Sequence, residues 1–298
     1  MTSLRSHLLA WSIRHLLRPG LDGARPVEAI RRHVANFTRI ARLPAGLRSE
    51  DLRIGGRPAL HQYGRQARKD RAILYFHGGA YVFGSPHTHR SLTGQLAQSA
   101  GCRVISVDYR LAPENPAPAA LEDAREAYAE LCAEIAPEQI VIAGDSAGGG
   151  LALALAQQLQ QEQHTPPAGV LLLCPWGDLR LQNDSLTRNR DNEPMLSKDG
   201  LAMFAEYYAA GADLSLPHLS PALGNFQGLP PIYVQAAGHD LLLDDAREIA
   251  KAARAANVST KLDVYADLFH DFMAVPEWVP EGRRALVIAG AWVKSVCA

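Results

Sequence analysis

The strongest constraint on the fold is the run from Gln139 to Leu155, Gln-Ile-Val-Ile-Ala-Gly-Asp-Ser-Ala-Gly-Gly-Gly-Leu-Ala-Leu-Ala-Leu. The β-branched residues Ile140, Val141 and Ile142 lead into Gly144-Asp145-Ser146-Ala147-Gly148, and an Ala/Leu-rich segment leaves it. A strand must therefore turn sharply into a helix at Ser146. This is the G-x-S-x-G spacing of a nucleophile elbow. Gly144 and Gly148 flank the serine because strand and helix approach closely there, and a residue without a Cβ removes the steric cost. The hydroxyl is held at a helix N-terminus, where free amide donors stabilise a developing anion. A glycine-rich turn that merely contains a serine has the same spelling. The reading rests on whether the rest of the chain supplies a base, an acid and further donors.

From about residue 52 onward, short apolar runs alternate with helical periodicity. Leu60 to Tyr63, Ala72 to Phe76, Cys102 to Tyr109, Ile140 to Ala143, Val170 to Cys174, Ile232 to Ala236 and Lys261 to Tyr265 read as strands. Thr88 to Ala100, Ala117 to Ile135, Ala147 to Gln161, Asp244 to Ala256 and Arg283 to Val296 read as helices. Near-continuous apolar strands interleaved with helices predict an α/β fold, with a mainly parallel sheet flanked by helices on both faces and one or two antiparallel strands at its first edge. Residues 1 to about 50 read as two helices with basic outer faces, the first around Leu4 to Leu17 and the second from Val27 to Ile40. Such a stripe docks on its own protein or lies on an anionic membrane, and docking is the commoner use. Residues 176 to 226 break the alternation with polar turns and one aromatic helix, Asp199 to Ala210. They read as an insertion over the carboxyl ends of the strands, where open α/β sheets bind ligands.

Composition narrows the function classes. Apolar residues make up 47% and charged residues 20%, with a formal net charge of −1, so nothing points to a nucleic-acid partner. The four cysteines, Cys102, Cys132, Cys174 and Cys297, show no C-x-x-C spacing and read as reduced thiols of a cytoplasmic protein without a zinc site. Arg5, His7, Arg14, His15 and Arg18 interrupt the apolar N-terminal residues, so no cleaved signal peptide is expected. No uncharged apolar run is long enough for an integral membrane segment.

An acyl hydrolase built on Ser146 needs a histidine base and an acid that orients it. Of the eleven histidines, His164, His218 and His239 follow the serine but fall in a surface linker, in the insertion and beside another candidate. His270, in Leu268-Phe269-His270-Asp271-Phe272, lies just past the last strand at the carboxyl edge of the sheet and is the candidate base. Asp240, after the Ile232 to Ala236 strand, completes the order Ser, Asp, His. Asp244 and Asp245 are rivals, but their place at a helix start suits capping. Asp267 and Asp271 flank His270 too closely to orient its ring easily. Amide donors for the anion are expected from Ala147 and from Gly78 and Gly79 in His77-Gly78-Gly79-Ala80-Tyr81, where adjacent glycines let successive N–H groups turn to one point. His77 reads as a brace for that loop, and Asp145 as a buried carboxylate holding loops together.

In this order, His77-Gly78-Gly79-Ala80, Asp108-Tyr109-Arg110-Leu111-Ala112-Pro113-Glu114, Gly144-Asp145-Ser146-Ala147-Gly148-Gly149, Asp240 and His270 resemble the hormone-sensitive-lipase-like (bacterial family IV) esterases of the α/β-hydrolase superfamily. The resemblance covers roughly residues 50 to 298. It implies an α/β-hydrolase fold with a helical cap, Ser146 as nucleophile, Asp240 and His270 as its triad partners, and Gly78, Gly79 and Ala147 as oxyanion hole. It also implies an N-terminal cap segment, matched by residues 1–50, and a catalytic domain at 51–298 with a cap insertion at about 176–226. Two positions depart from the family pattern. Ala80 replaces a usual third glycine, at little cost if the donors are Gly78 and Gly79. Leu241 follows Asp240 where proline is common.

The expected activity is a serine carboxylesterase acting on short to medium acyl esters through an acyl-enzyme, with a small-molecule ester as partner and no metal or organic cofactor. Trp176, Met195, Met203, Phe204, Tyr207 and Tyr208 from the insertion, with Tyr81 and Phe83 below, are the candidate apolar pocket, each with ordinary cap packing as its alternative role. A lactonase, amidase or deacetylase would use the same triad. Non-catalytic relatives such as the plant gibberellin receptor lack the catalytic histidine, which is present here as His270. A membrane-surface lipase would use the basic N-terminal helix. The resemblance also allows a homodimer, often through the last edge strand.

Overall fold

A computed structural model describes residues 2–21, 25–39 and 41–297. Helix α1 (Leu4–Ser12) runs on through a π turn (Ile13–Leu17) and a 3-10 turn (Arg18–Gly20) before α2 (Val27–Thr38). The expected end of that second helix, Ile40, lies outside the described residues. Then come β1 (Leu47–Ile54), β2 (Arg57–Gly64), β3 (Arg68–Phe76), α3 (Arg90–Ala100), β4 (Cys102–Val107), α4 (Ala119–Cys132), β5 (Ile140–Asp145) and α5 (Ser146–Gln161). The remainder is β6 (Gly169–Leu173), α6 (Ser185–Arg188), α7 (Lys198–Ala209), β7 (Ile232–Ala237), α8 (Leu243–Ala255), β8 (Thr260–Tyr265) and α9 (Pro280–Val296).

The strands form one eight-stranded sheet in the order β1-β2-β4-β3-β5-β6-β7-β8. β2 pairs antiparallel with β1 and β4, and every later pairing is parallel. The central strands β5, β6 and β7 are buried along their whole length, as a parallel sheet covered by helices requires. The α/β expectation holds, with one correction. Residues 1–50 are not helical to their end, because the chain enters β1 at Leu47. β1 reads Leu-Arg-Ser-Glu-Asp-Leu-Arg-Ile and is mostly exposed, so it buries no face that would give a period-two apolar signal.

Two carboxylate contacts are among the ties that hold the N-terminal helices to the body. The Glu281 carboxylate at the start of α9 accepts from Ser3 N at 2.6 Å and Ser6 Oγ at 2.8 Å. Arg31 of α2 forms a bidentate pair with Glu114 at 2.7 and 2.8 Å and also donates to the Val82 and Ala112 carbonyls. Such a fork fixes geometry as well as charge.

The elbow is tight for a measurable reason. A Cβ on Gly148 would lie 2.0 Å from the Phe76 carbonyl oxygen and 2.6 Å from that of His77. Both are backbone atoms at the end of β3 and cannot step aside. Gly148→Ala is therefore expected to destabilise the protein by about 3 kcal/mol or more, visible as a lower thermal midpoint. An unchanged midpoint would show that α5 does not pack this closely on β3.

Candidate active site

β5 delivers Ser146 to the first position of α5 with φ +50°, a left-handed conformation that a non-glycine residue adopts only under local constraint. Its carbonyl accepts from Trp176 N at 2.9 Å, which fixes the turn against the chain leaving β6. Past β7, Asp240 is fully buried; one carboxylate oxygen accepts from Leu242 N at 2.8 Å, and the other meets His270 Nδ1 at 2.8 Å. His270 lies beyond β8, in a loop tied back by His239 N to Leu268 O at 2.9 Å. Its Nε2 is 2.9 Å from Ser146 Oγ. The three residues singled out from the sequence thus form one hydrogen-bonded chain, brought together from the carboxyl ends of β5, β7 and β8. The chain can carry a proton off the serine while the carboxylate stabilises the charged ring.

The amide donors expected from the sequence lie beside it. Gly79 has φ +118°, and with Ser146 it lines the same cleft. The Gly78 and Gly79 N–H groups donate no hydrogen bond to an acceptor among the described residues, while Ala147 N sits in the first turn of α5, where amides have no helical partner. Behind them, His77 Nδ1 contacts Gly78 O at 2.8 Å and its ring stacks on Tyr109 with centroids 4.4 Å apart. Burial, reinforced by nearby His89, lowers the His77 pKa to about 3, so the ring is neutral. Asp145 receives the Tyr75 hydroxyl at 2.6 Å and faces His89 Nε2 at 3.2 Å, joining β3, the elbow and the start of α3.

Two further carboxylates lie at the site, of which Glu193 escaped sequence reasoning altogether. Glu193, fully buried in the insertion, accepts from His270 N at 2.9 Å and from Met195 N at 2.7 Å. Burial, followed by the Asp240 charge, raises its pKa to about 7. Asp271, expected to flank His270 too closely to orient its ring easily, leaves that contact to Asp240 but does reach the ring's other nitrogen. With φ +51°, its side chain turns back, so that Oδ2 lies 3.2 Å from His270 Nε2. Asp244 and Asp245 also depart from the expected capping role. Asp245 accepts from Gly177 N and Asp178 N, both at 2.9 Å, and Asp244 from Ser185 N at 2.9 Å, so they brace the insertion. At the start of α8, Asp240 accepts from Leu242 N and Ser185 Oγ from Asp244 N.

Burial disfavours a charged His270, but Asp240 and then Asp271 outweigh it and push the pKa well above 6.5. The ring must be neutral to accept the Ser146 proton, so kcat/KM should rise with pH through a midpoint above 6.5. A pH–rate profile on a soluble ester checks this, and an acid limb below that value would mean that the carboxylates do not hold the charged ring.

The cleft over Ser146 is largely apolar and draws its walls from both ends of the chain, including Leu9, Ile13 and Leu17 from the N-terminal segment and Met195, Leu201 and Phe204 from the insertion. Among the pocket residues expected from sequence, Phe83 and Phe204 line it, 5.4 Å apart edge to face, as does Met195. Tyr81, Trp176 and Tyr208 do not. They are fully buried, with the Tyr81 and Tyr208 rings stacked at 3.8 Å and Trp176 beside Tyr81 at 6.3 Å. Met203 and Tyr207 are half-buried and lie outside the lining. Aromatic composition marks a packed layer as readily as a wall, and here most of it is the layer.

An eight-stranded, mainly parallel sheet carrying a Ser-His-Asp chain at its carboxyl edge defines an α/β hydrolase. The chain belongs to the α/β-hydrolase fold family, whose model matches residues 73–274, and within it to the hormone-sensitive-lipase-like branch. An acetyl-hydrolase of Streptomyces hygroscopicus is 40% identical over 233 residues, covering 78% of this chain and 78% of its own length. An esterase of Acinetobacter venetianus is 35% identical over 244 residues, covering 81% of this chain and 77% of its own. The crystal structure of an esterase from the bacterial hormone-sensitive lipase family matches with a TM-score of 0.96 at 35% identity, covering 100% of both chains. Among the described residues, no helix is long and apolar enough to cross a membrane.

Proposed function

We propose that the protein is a serine carboxylesterase that hydrolyses short to medium acyl esters through an acyl-enzyme. The observation that carries this reading is the unbroken chain from Ser146 Oγ through His270 to the Asp240 carboxylate, at 2.9 and 2.8 Å. His270 Nε2 takes the serine proton as Oγ attacks the ester carbonyl, and the amides of Gly78, Gly79 and Ala147 receive the oxyanion. His270 then protonates the leaving alcohol, and water repeats the sequence on the acyl-enzyme. No metal or organic cofactor enters these steps.

Residues 1–50 and 176–226 serve as two cap pieces over a catalytic domain at 51–298, a division supported by their shared walls around Ser146. The apolar lining favours a small uncharged acyl group, and the names acetyl-hydrolase and esterase among the relatives agree with that class. The enzyme works in the cytoplasm, and a homodimer through the exposed edge of β8 is compatible with the fold. Lactones, amides and acetylated substrates would use the same triad. The test is a chain-length series of p-nitrophenyl esters, run beside a lactone and an amide. The highest kcat/KM is expected on a short or medium ester. An optimum at long chains, or a preference for lactone or amide, would overturn the substrate assignment.

A further inference from the structure

The cleft wall at the reaction centre is mostly glycine, serine, imidazole and hydrocarbon, with one exception: Asp271 is the sole carboxylate lining it among the described residues. One of its oxygens, Oδ2, is 3.2 Å from His270 Nε2, the nitrogen that also faces Ser146 Oγ at 2.9 Å. The other, Oδ1, is buried and has no hydrogen-bond partner. The side chain is only 10% exposed. An unpartnered buried carboxylate oxygen is costly, so a water beside this side chain would be held firmly as a donor to it.

The two half-reactions differ in what they bring to this spot. In acylation, His270 takes its proton from Ser146, which the elbow already holds in place. In deacylation, the proton comes from a water that the protein must catch beside Nε2. Such a water has two protons, and a nearby carboxylate can accept the one that the imidazole does not take.

We propose that Asp271 positions the hydrolytic water for deacylation. Water donates one proton to His270 Nε2 and hydrogen-bonds the other to the Asp271 carboxylate. Its oxygen bonds to the acyl carbon, and the carbonyl electron pair moves to the oxyanion. On collapse the bond from the acyl carbon to Ser146 Oγ breaks, Oγ takes the proton from Nε2, and the carboxylic acid leaves. Asp271 exchanges no proton. The proposal rests on the serine-esterase reading and adds a step-specific role to it. Fixing a reactant beside its catalytic base is a large source of rate, and it acts only on the step that uses that reactant.

The test is Asp271→Ala, with Asp271→Asn beside it, on p-nitrophenyl acetate at the pH plateau of each protein. With this activated ester, acylation governs kcat/KM, and deacylation governs kcat whenever acyl-enzyme accumulates. Asp271→Ala should lose about ten- to a hundredfold in kcat, the range for a hydrogen bond to a charged group. kcat/KM should fall by a clearly smaller factor, since Asp271 beside Nε2 also favours the charged ring in acylation, so KM should fall, and the burst of p-nitrophenol should sharpen. Asp271→Asn keeps an acceptor oxygen and should recover part of the loss. If Asp271 only steadied the His270 ring, kcat and kcat/KM would fall together and fluorophosphonate labelling of Ser146 would slow equally. That result would overturn the proposal, as would an unchanged kcat. Failure of the underlying reading looks different: the wild-type protein would take no fluorophosphonate at Ser146.

Discussion

Ser146→Ala is expected to lower kcat on an activated ester by about 10⁴-fold or more, with thermal unfolding essentially unchanged. The loss is large because Oγ is the atom that forms the covalent intermediate, and nothing near it can replace it. Cys174, a thiol beside Asp240 and His270, is fully buried, and burial, then the Asp240 and Asp271 charges, raises its pKa well above the ordinary value. It is also committed to the same pocket of atoms, since its sulfur lies within 4.8 Å of ligand atoms of Asp240 and His270. The fold should survive because removing Oγ takes away only the contact with His270 Nε2, and that nitrogen keeps Asp271 as a neighbour. Steady-state kinetics and a melting curve check both halves. Near-native turnover in this variant would remove Ser146 from the mechanism.

The next largest effect is expected for Asp240→Asn, a loss of about 10⁴-fold in kcat if the orienting acid behaves as in other Ser-His-Asp enzymes. The hydrogen bonds explain why so small a change does so much. Leu242 N donates to one oxygen of Asp240, so an asparagine would keep its carbonyl oxygen there and turn its NH₂ group to His270 Nδ1. Nδ1 would then have to accept, which places the ring proton on Nε2. A protonated Nε2 cannot take the proton of Ser146. The variant should fold, because Leu242 N and the surrounding packing are satisfied, and it should be slow at every pH. A loss below about tenfold would mean that the ring is oriented by something else.

The parts of the molecule readable in the sequence are those in which local chemistry and the fold agree. β5, the Gly144 to Gly148 turn and α5 were legible because the strand, the turn and the helix each carry their own signal over a few residues. Asp240 and His270 were legible by their place after predicted strands, since a sheet of this kind gathers its strand ends at one edge. β1 was not, because an edge strand exposed along most of its length need not alternate apolar and polar residues. Glu193 was not, because it sits in a polar turn 77 residues from the histidine whose amide it binds, and no local pattern announces so long a contact. The nearness of the Asp271 carboxylate to the ring was not legible, because adjacency in sequence suggests side chains pointing apart, whereas here, at a positive φ, it lies beside Nε2. The pocket was readable only in outline. The aromatic residues of the insertion do cluster, but Tyr81, Trp176 and Tyr208 fill the layer behind the wall, and part of the wall comes from Leu9, Ile13 and Leu17 at the far end of the chain.

The most direct measurement of the central claim, that Ser146 is activated by His270 and Asp240, is stoichiometric labelling with a fluorophosphonate followed by intact mass and peptide mapping. A single adduct on Ser146 is expected, formed rapidly in the wild-type protein and much more slowly in Asp240→Asn, with none in Ser146→Ala. Esterase activity that survives without an adduct at Ser146, or an adduct that maps to another residue, would contradict it.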